Sequence, residues 1–224
     1  MRIVTKGMHY LHNPSQEVLS HVKQTYRIKN PTYEQAVRTN PNARFALTPY
    51  NHYYDYEPIS KTITLPRGVR LQKILELHGG QVTQSLETTK KPVPEREDNI
   101  KLRDSQKGIP GTILKSNTGT CVMPTGFGKT IIGTRVANRV AQKTLIVVHR
   151  GALFEQWVNT LEQTTSDLSV GRIRGKDFDL QDVTVATIQS LKKHLDKHDS
   201  LQNEFGCLIV DECHEFITTK RIQT

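Results

Sequence analysis

Apolar residues fall in two rhythms along this chain. In the C-terminal half short unbroken apolar runs stand out: Gly119–Met123 (GTCVM), Leu145-Ile-Val-Val148 and Cys207-Leu-Ile-Val210. Runs of this length, bounded by turn-forming or charged residues, predict short buried strands. Between them Gly128–Gln142 places Ile131, Ile132, Val136 and Val140 on one face, the spacing of a helix. The second run leads through a turn into a further helix. In the N-terminal half the pattern is weaker. Gln16–Val22 predicts a short helix, and Pro31–Arg38 a second one with proline in its first turn. Thr62-Ile-Thr-Leu65 alternates like a strand before Pro66-Arg-Gly68 turns the chain, and Val69–Leu77 is an amphipathic helix. Thr88–Asp98 (TTKKPVPERED) is charged, holds two prolines and has no apolar period, so it predicts a linker. No internal repeat or low-complexity tract is present.

Two of these predicted strands run into residues that carry chemistry. Met123-Pro124-Thr125-Gly126-Phe127-Gly128-Lys129-Thr130 lies between a strand and a helix. Glycines at 126 and 128 permit a turn whose backbone N–H groups approach phosphate oxygens closely. Lys129 then reaches the β and γ phosphates, Thr130 offers its hydroxyl to Mg²⁺, and the phosphates sit at a helix N-terminus. The general pattern of such loops has glycine at the position of Met123. Eighty-one residues after Thr130, Asp211-Glu-Cys-His214 closes an apolar strand. Asp211 is placed to hold Mg²⁺ at the C-terminal end of that strand, and Glu212 to position or deprotonate an attacking water. Together the two segments predict a site for ATP and Mg²⁺. A glycine-rich turn without nucleotide and a solvated acidic strand end are the plainer alternatives.

Composition narrows the picture. The 224 residues suffice for one large domain or two small ones, and 35% hydrophobic content with a mean hydropathy of −0.53 predicts a soluble protein. The formal net charge of +9 favours polyanionic partners. Lys and Arg number 14 against 9 acids through Asn99 and 17 against 13 beyond it, so basicity is spread over both halves. Cys121, Cys207 and Cys213 form no C-x-x-C pair and read as small buried hydrophobes in a reducing compartment. The start lacks an apolar signal core and no run reaches membrane-spanning length, which predicts a cytoplasmic location and no membrane partner.

The order of these motifs resembles the superfamily 2 DNA helicases, in particular the group of xeroderma-pigmentosum-B-like helicases, phage recombination helicases and restriction-enzyme motor subunits. The x-P-T-G-x-G-K-T loop looks like their motif I and the D-E-x-H run like their motif II. Leu102-Arg-Asp-Ser-Gln106 resembles the element ahead of motif I, which implies that Gln106 contacts adenine. Leu145–Trp157 is similar to motif Ia, with His149 and Arg150 in place of the usual Pro-Thr. Val183-Thr-Val-Ala-Thr187-Ile-Gln189-Ser-Leu191 is similar to motif Ic. The resemblance implies backbone contacts to nucleic acid from Arg150, Thr187 and Gln189; capping of the following helix is the plainer role for the last two. It implies an α/β fold: a RecA-like P-loop domain with a central, mostly parallel sheet over residues 100–224. A small α+β accessory domain would precede it over 1–87, with a linker at 88–99. Relatives use such a domain on duplex or branched DNA; if phage-encoded, the protein would work in the host cytoplasm. Arg67, Arg70 and Lys73 beside Tyr53, Tyr54 and Tyr56 could form that surface, or the tyrosines could pack a small core.

The resemblance also implies that motif III and a second motor domain follow motif II. Glu215–Thr224 (EFITTKRIQT) contains neither, so the sheet reads as truncated and the chain as an N-terminal fragment that does not turn over ATP at a useful rate alone. A split gene product, a decayed remnant and a subunit completed by a separate C-terminal motor half are all consistent with that reading. The expected function is ATP hydrolysis coupled to DNA unwinding or translocation. The alternatives are a nucleotide- and DNA-binding module without turnover, or the motor part of a restriction enzyme.

Overall fold

The chain divides into two compact units, residues 1–88 and 89–224. The computed structural model describes residues 1–116 and 118–217.

Unit one runs β1 (Arg2–Thr5), β2 (Met8–His12), α1 (Gln16–Thr25), β3 (Arg27–Lys29), α2 (Pro31–Thr39), β4 (Tyr50–His52), β5 (Asp55–Glu57), β6 (Thr62–Pro66), α3 (Gln72–His78) and β7 (Thr83–Leu86). Its main sheet has the order β5-β6-β2-β1-β7, antiparallel except for the β1–β7 pair, and β3 and β4 form a separate two-stranded ribbon. Alternation sends Ile3, Leu11, Ile63 and Leu65 to one face, where Val18 and Val22 of α1 and Ile74 of α3 cover them. Both early helices begin where a side chain can take an unpaired backbone N–H: Ser15 accepts from Val18 N and Asn30 from Thr32 N. Tyr54 and Tyr56 pack against this core, whereas Tyr53 is exposed.

His9 is buried in this unit, with Nδ1 at 2.8 Å from Thr5 Oγ1 and Nε2 at 2.9 Å from the Arg67 carbonyl oxygen. Burial pushes its pKa below the ordinary imidazole value of about 6.5, outweighing the Arg67 carbonyl, which favours the cation. The unfolded chain therefore takes up a proton near that value while the folded unit still resists it. Stability is full above about pH 6.5 and falls as the pH drops through and below it. All seven tyrosines lie in unit one and the sole tryptophan in unit two. Urea titrations followed by tyrosine absorbance are expected to show unit one weakening between pH 7.5 and 5.5, and His9→Gln to flatten that slope.

Unit two contains α4 (Ile109–Leu114), α5 (Lys129–Arg139), β8 (Thr144–Val148), α6 (Gly151–Thr164), β9 (Val170–Arg174), β10 (Asp177–Asp179), β11 (Val183–Thr187), α7 (Ile188–Leu195), β12 (Cys207–Val210) and α8 (His214–Ile217). The sheet order is β10-β9-β11-β8-β12. All neighbours are parallel except the β9–β10 hairpin. Every residue of β8 and β11 is buried, as expected for parallel strands covered on both faces. One face packs Ile146, Val148, Val183 and Val185 against Phe154, Trp157, Val158 and Leu161 of α6 and Ala137 of α5. The other packs Leu145, Val147, Ile173 and Ala186 against Leu191 of α7. This is a RecA-like arrangement, and it sets the C-terminal ends of β8, β11 and β12 side by side.

Three sequence expectations change here. Residues 119–123 form no strand: Val122 is 90% exposed and Cys121, expected as a buried hydrophobe, is exposed too. A strand holds only where a neighbour takes its backbone groups. Among the described residues, β12 is the outer strand of the sheet, with Leu208 61% exposed. Residues 91–98, within the segment that composition marks as a linker, are bonded into unit two. Val93 N donates to Ala141 O and Arg96 N to Asn138 O. The Asp98 side chain, 0% exposed, pairs with Arg135 at 2.8 Å. The partly exposed Arg135 guanidinium satisfies this buried carboxylate, something composition alone does not reveal. The helix expected over 69–77 begins only at Gln72. Of the C-terminal segment read for motif III, residues 218–224 lie outside the described residues.

Candidate nucleotide and nucleic-acid site

The phosphate loop is built by two left-handed glycines, Gly126 (φ 76°) and Gly128 (φ 97°). At Gly128 glycine is required twice over, because a Cβ there would also lie 2.7 Å from Gln106 Nε2. Gln106 is buried. Its amide nitrogen donates to the Phe127 carbonyl at 2.6 Å and its oxygen accepts from Arg103 N at 2.8 Å. The Arg103 guanidinium donates to the same Phe127 carbonyl at 2.6 Å and to Gly126 O at 3.3 Å. The loop is thus held from behind through its carbonyls. A cavity of about 370 Å³ adjoins this clamp, lined by Asn99, Ile100, Lys101, Arg103, Gln106 and Gly128 among others. Pro124 and Thr125 are exposed at the start of the turn, where Phe127 N donates to Pro124 O.

Lys129 opens α5, and its ammonium donates to Glu212 Oε1 at 2.9 Å. That hydrogen bond raises the Lys129 pKa and lowers that of Glu212, each against a smaller opposing effect of burial. Both side chains remain 30% exposed, so the pair is open to solvent and to competing anions. Asp211 continues β12, its N–H donating to Val147 O, and Glu212 follows with a positive φ of 50°. Residues 83 apart in sequence are therefore joined at the C-terminal edge of the sheet.

Two neighbouring residues of α6 complete the arrangement. Gln156 Nε2 donates to Thr130 Oγ1 at 3.1 Å, and Trp157 Nε1 donates to Asp211 Oδ2 at 2.8 Å. Trp157 is 2% exposed and its ring lies over Gly133 of α5, where a Cβ would meet ring carbon Cη2 at 2.4 Å. Sequence reading missed Gln156, Trp157, Gly133 and the clamp made by Arg103. The tryptophan reads as core from its periodicity, and only its indole N–H, which seeks an acceptor when buried, hints at more.

Among the described residues no group of three or more His, Cys, Asp or Glu stands ready to enclose a metal. Mg²⁺ does not need one: it is commonly held by one or two carboxylates together with substrate phosphates and water. One carboxylate (Asp211) and one hydroxyl (Thr130), both hard oxygen donors already oriented by α6, fit that requirement.

The nucleic-acid candidates divide. Arg150 is exposed at the N-cap of α6, and exposed Gln189 donates to the His149 carbonyl at 3.3 Å, which puts both at the ends of neighbouring strands β8 and β11. Thr187 is buried, and its hydroxyl donates inward to Ser190 Oγ at 2.9 Å. It occupies the N-cap of α7 without making a side-chain cap bond.

Residues 98–224 match the family described as "Type III restriction enzyme, res subunit". The chain belongs to this family, within superfamily 2 of the helicases. A "DNA 3'-5' translocase XPB2" of Sulfurisphaera tokodaii is 35% identical over 123 residues, covering 55% of this chain and 27% of the relative. A "DNA 3'-5' helicase XPB" of Mycobacterium tuberculosis is 28% identical over 132 residues, covering 55% and 24%. A probable helicase of Escherichia phage T5 is 29% identical over 131 residues, covering 57% and 28%. The chain thus spans about a quarter of the length of these curated relatives. The crystal structure of the UvsW helicase from bacteriophage T4 superimposes with a TM-score of 0.65 at 19% identity, over 98% of this chain and 84% of that one. At that identity the likeness shows the fold alone. Among the described residues no helix is long and apolar enough to cross a membrane.

Proposed function

We propose that this chain carries the ATP-binding face of a DNA helicase or translocase motor. Unit two carries the RecA-like nucleotide domain, with residues 89–99 bonded against it, and unit one is an accessory DNA-binding domain. The observation that carries the reading is convergence: Lys129 meets Glu212, and Thr130 and Asp211 are both fixed by α6, at the C-terminal edge of a parallel sheet where such folds bind ligands.

Each residue then has a task that follows from its chemistry. The backbone N–H groups of residues 125–130 receive phosphate oxygens at the start of α5, and Lys129 neutralises their charge once it leaves Glu212. Freed by that exchange, Glu212 is the carboxylate in reach of a water beside the terminal phosphate. Thr130 and Asp211 would hold Mg²⁺, which when bound neutralises phosphate charge. Gln106 and Arg103 brace the loop and border the cavity suited to a nucleobase. Arg150 and Gln189 offer a cation and an amide to a nucleic-acid backbone, contacts that grip phosphates without reading bases; Thr187 would join them only after its hydroxyl leaves Ser190.

A second reading, a nucleotide- and DNA-binding module without turnover, is favoured by the exposed, unpaired segment 119–123 that leads into the phosphate loop. Measuring phosphate release with and without single-stranded and duplex DNA separates the two. DNA-stimulated release that disappears in Glu212→Gln supports a motor. Nucleotide binding with no release, even after a second motor domain is supplied in trans, supports the module, and absence of nucleotide binding overturns both.

A further inference from the structure

We propose that Gln156 and Trp157, adjacent on α6, are positioning residues for Mg²⁺ at the nucleotide site, and that Trp157 makes the occupancy of that site visible in its own fluorescence. The inference rests on the nucleotide reading above. It goes further in assigning a task to two residues that would touch neither the nucleotide nor the metal.

A hydroxyl and a carboxylate serve a cation well only if their free lone pairs are aimed before it arrives. Gln156 takes one lone pair of Thr130 Oγ1, at 3.1 Å, and restrains that side chain on the first turn of α5. Trp157 takes Asp211 Oδ2, at 2.8 Å, and leaves Oδ1 as the oxygen open to a cation. The indole N–H is a donor only, so this bond cannot reverse and the carboxylate is held in one orientation. Two consecutive residues of one rigid helix thus fix the two oxygens relative to each other, although these sit on separate elements, α5 and the end of β12.

The packing makes the arrangement stiff. Trp157 is nearly inaccessible, and Gly133, one turn beyond Thr130 on α5, is the gap through which the ring passes. Any side chain at 133 would drive the indole away from Asp211. Gln156 by contrast is exposed, so it can be replaced without disturbing the core. Arg150, the exposed nucleic-acid candidate, caps the N-terminus of α6, so one helix carries a candidate phosphate-gripping group at its start and the metal-site donors two turns later.

Trp157 is the only tryptophan in the chain. In the wild-type chain, ATP with Mg²⁺ is expected to change its emission, and ATP with EDTA to change it less. Affinities of wild type, Trp157→Phe, Gln156→Met and Lys129→Ala for a fluorescent ATP analogue are then compared with Mg²⁺ and with EDTA. Phe keeps most of the packing and Met most of the length, but neither donates. Both are expected to bind the analogue in EDTA within about twofold of wild type. The enhancement that Mg²⁺ gives should drop about tenfold, the scale on which outer-shell donors act. A purely structural role would weaken both conditions alike. If Lys129→Ala lowers binding but both α6 variants keep the full Mg²⁺ enhancement, the positioning role is overturned and the nucleotide site stands. If wild type binds no analogue, or binds it equally well without Lys129, the site reading fails and this inference with it. Should Trp157→Phe lose its fold by circular dichroism, the exposed Gln156→Met variant decides the matter.

Discussion

Lys129→Ala is expected to weaken ATP binding by about a hundredfold. The ammonium opens α5 at the end of the phosphate loop, and two charge-assisted hydrogen bonds to phosphate oxygens are together worth about 3 kcal/mol or more. The loss would be larger were Lys129 not already engaged with Glu212 at 2.9 Å, since that bond must open before phosphates are met. The same competition predicts the opposite sign for Glu212→Gln: with its anionic partner gone, Lys129 is released and ATP is expected to bind severalfold more tightly. Isothermal titration of the three proteins with ATP and Mg²⁺ checks both. An alanine variant within threefold of wild type would show that the phosphates do not sit at this loop.

Unit two is expected to lose about 3–5 kcal/mol of stability in Trp157→Ala, the usual cost of removing a large buried aromatic. The ring fills the space between α5 and the sheet, against a helix whose glycine at 133 leaves no side chain to close the hole. Asp211 would lose its donor as well. Trp157→Phe keeps most of the contact area and is expected to cost much less. Far-UV circular dichroism in urea gives the comparison, because fluorescence disappears with the residue. Similar midpoints for alanine and tryptophan would mean that the indole is not the keystone between these layers.

The motifs of unit two were legible because their chemistry is local. Gly126 and Gly128 are needed for a turn that no other residue forms easily, and the apolar run before Asp211 announces a strand whatever surrounds it. The segment 119–123 was misread for the opposite reason. Its composition suits a buried strand, yet strand formation depends on a neighbour to pair with, and no local pattern states whether one exists. Thr88–Asp98 differs the other way: charge and proline suggest a linker, but the Asp98–Arg135 pair and the backbone bonds of Val93 and Arg96 to Ala141 and Asn138 tie its later residues to unit two. Thr187 shows a subtler limit, since no local pattern announces that its hydroxyl donates to Ser190 Oγ three residues on.

By itself the sequence determined most element types of unit two, the glycine turn at 126–128, the acidic pair at the end of β12 and the family, because glycine, proline and apolar periodicity act over a few residues. Only the tertiary structure decided which distant groups meet. The bond from Lys129 to Glu212, the brace of Gln106 and Arg103 behind the loop, and the reach of Trp157 across Gly133 to Asp211 all depend on how parallel strands stack helices over their ends. That stacking is fixed by the packing of the whole sheet, a non-local property that no short stretch of sequence contains.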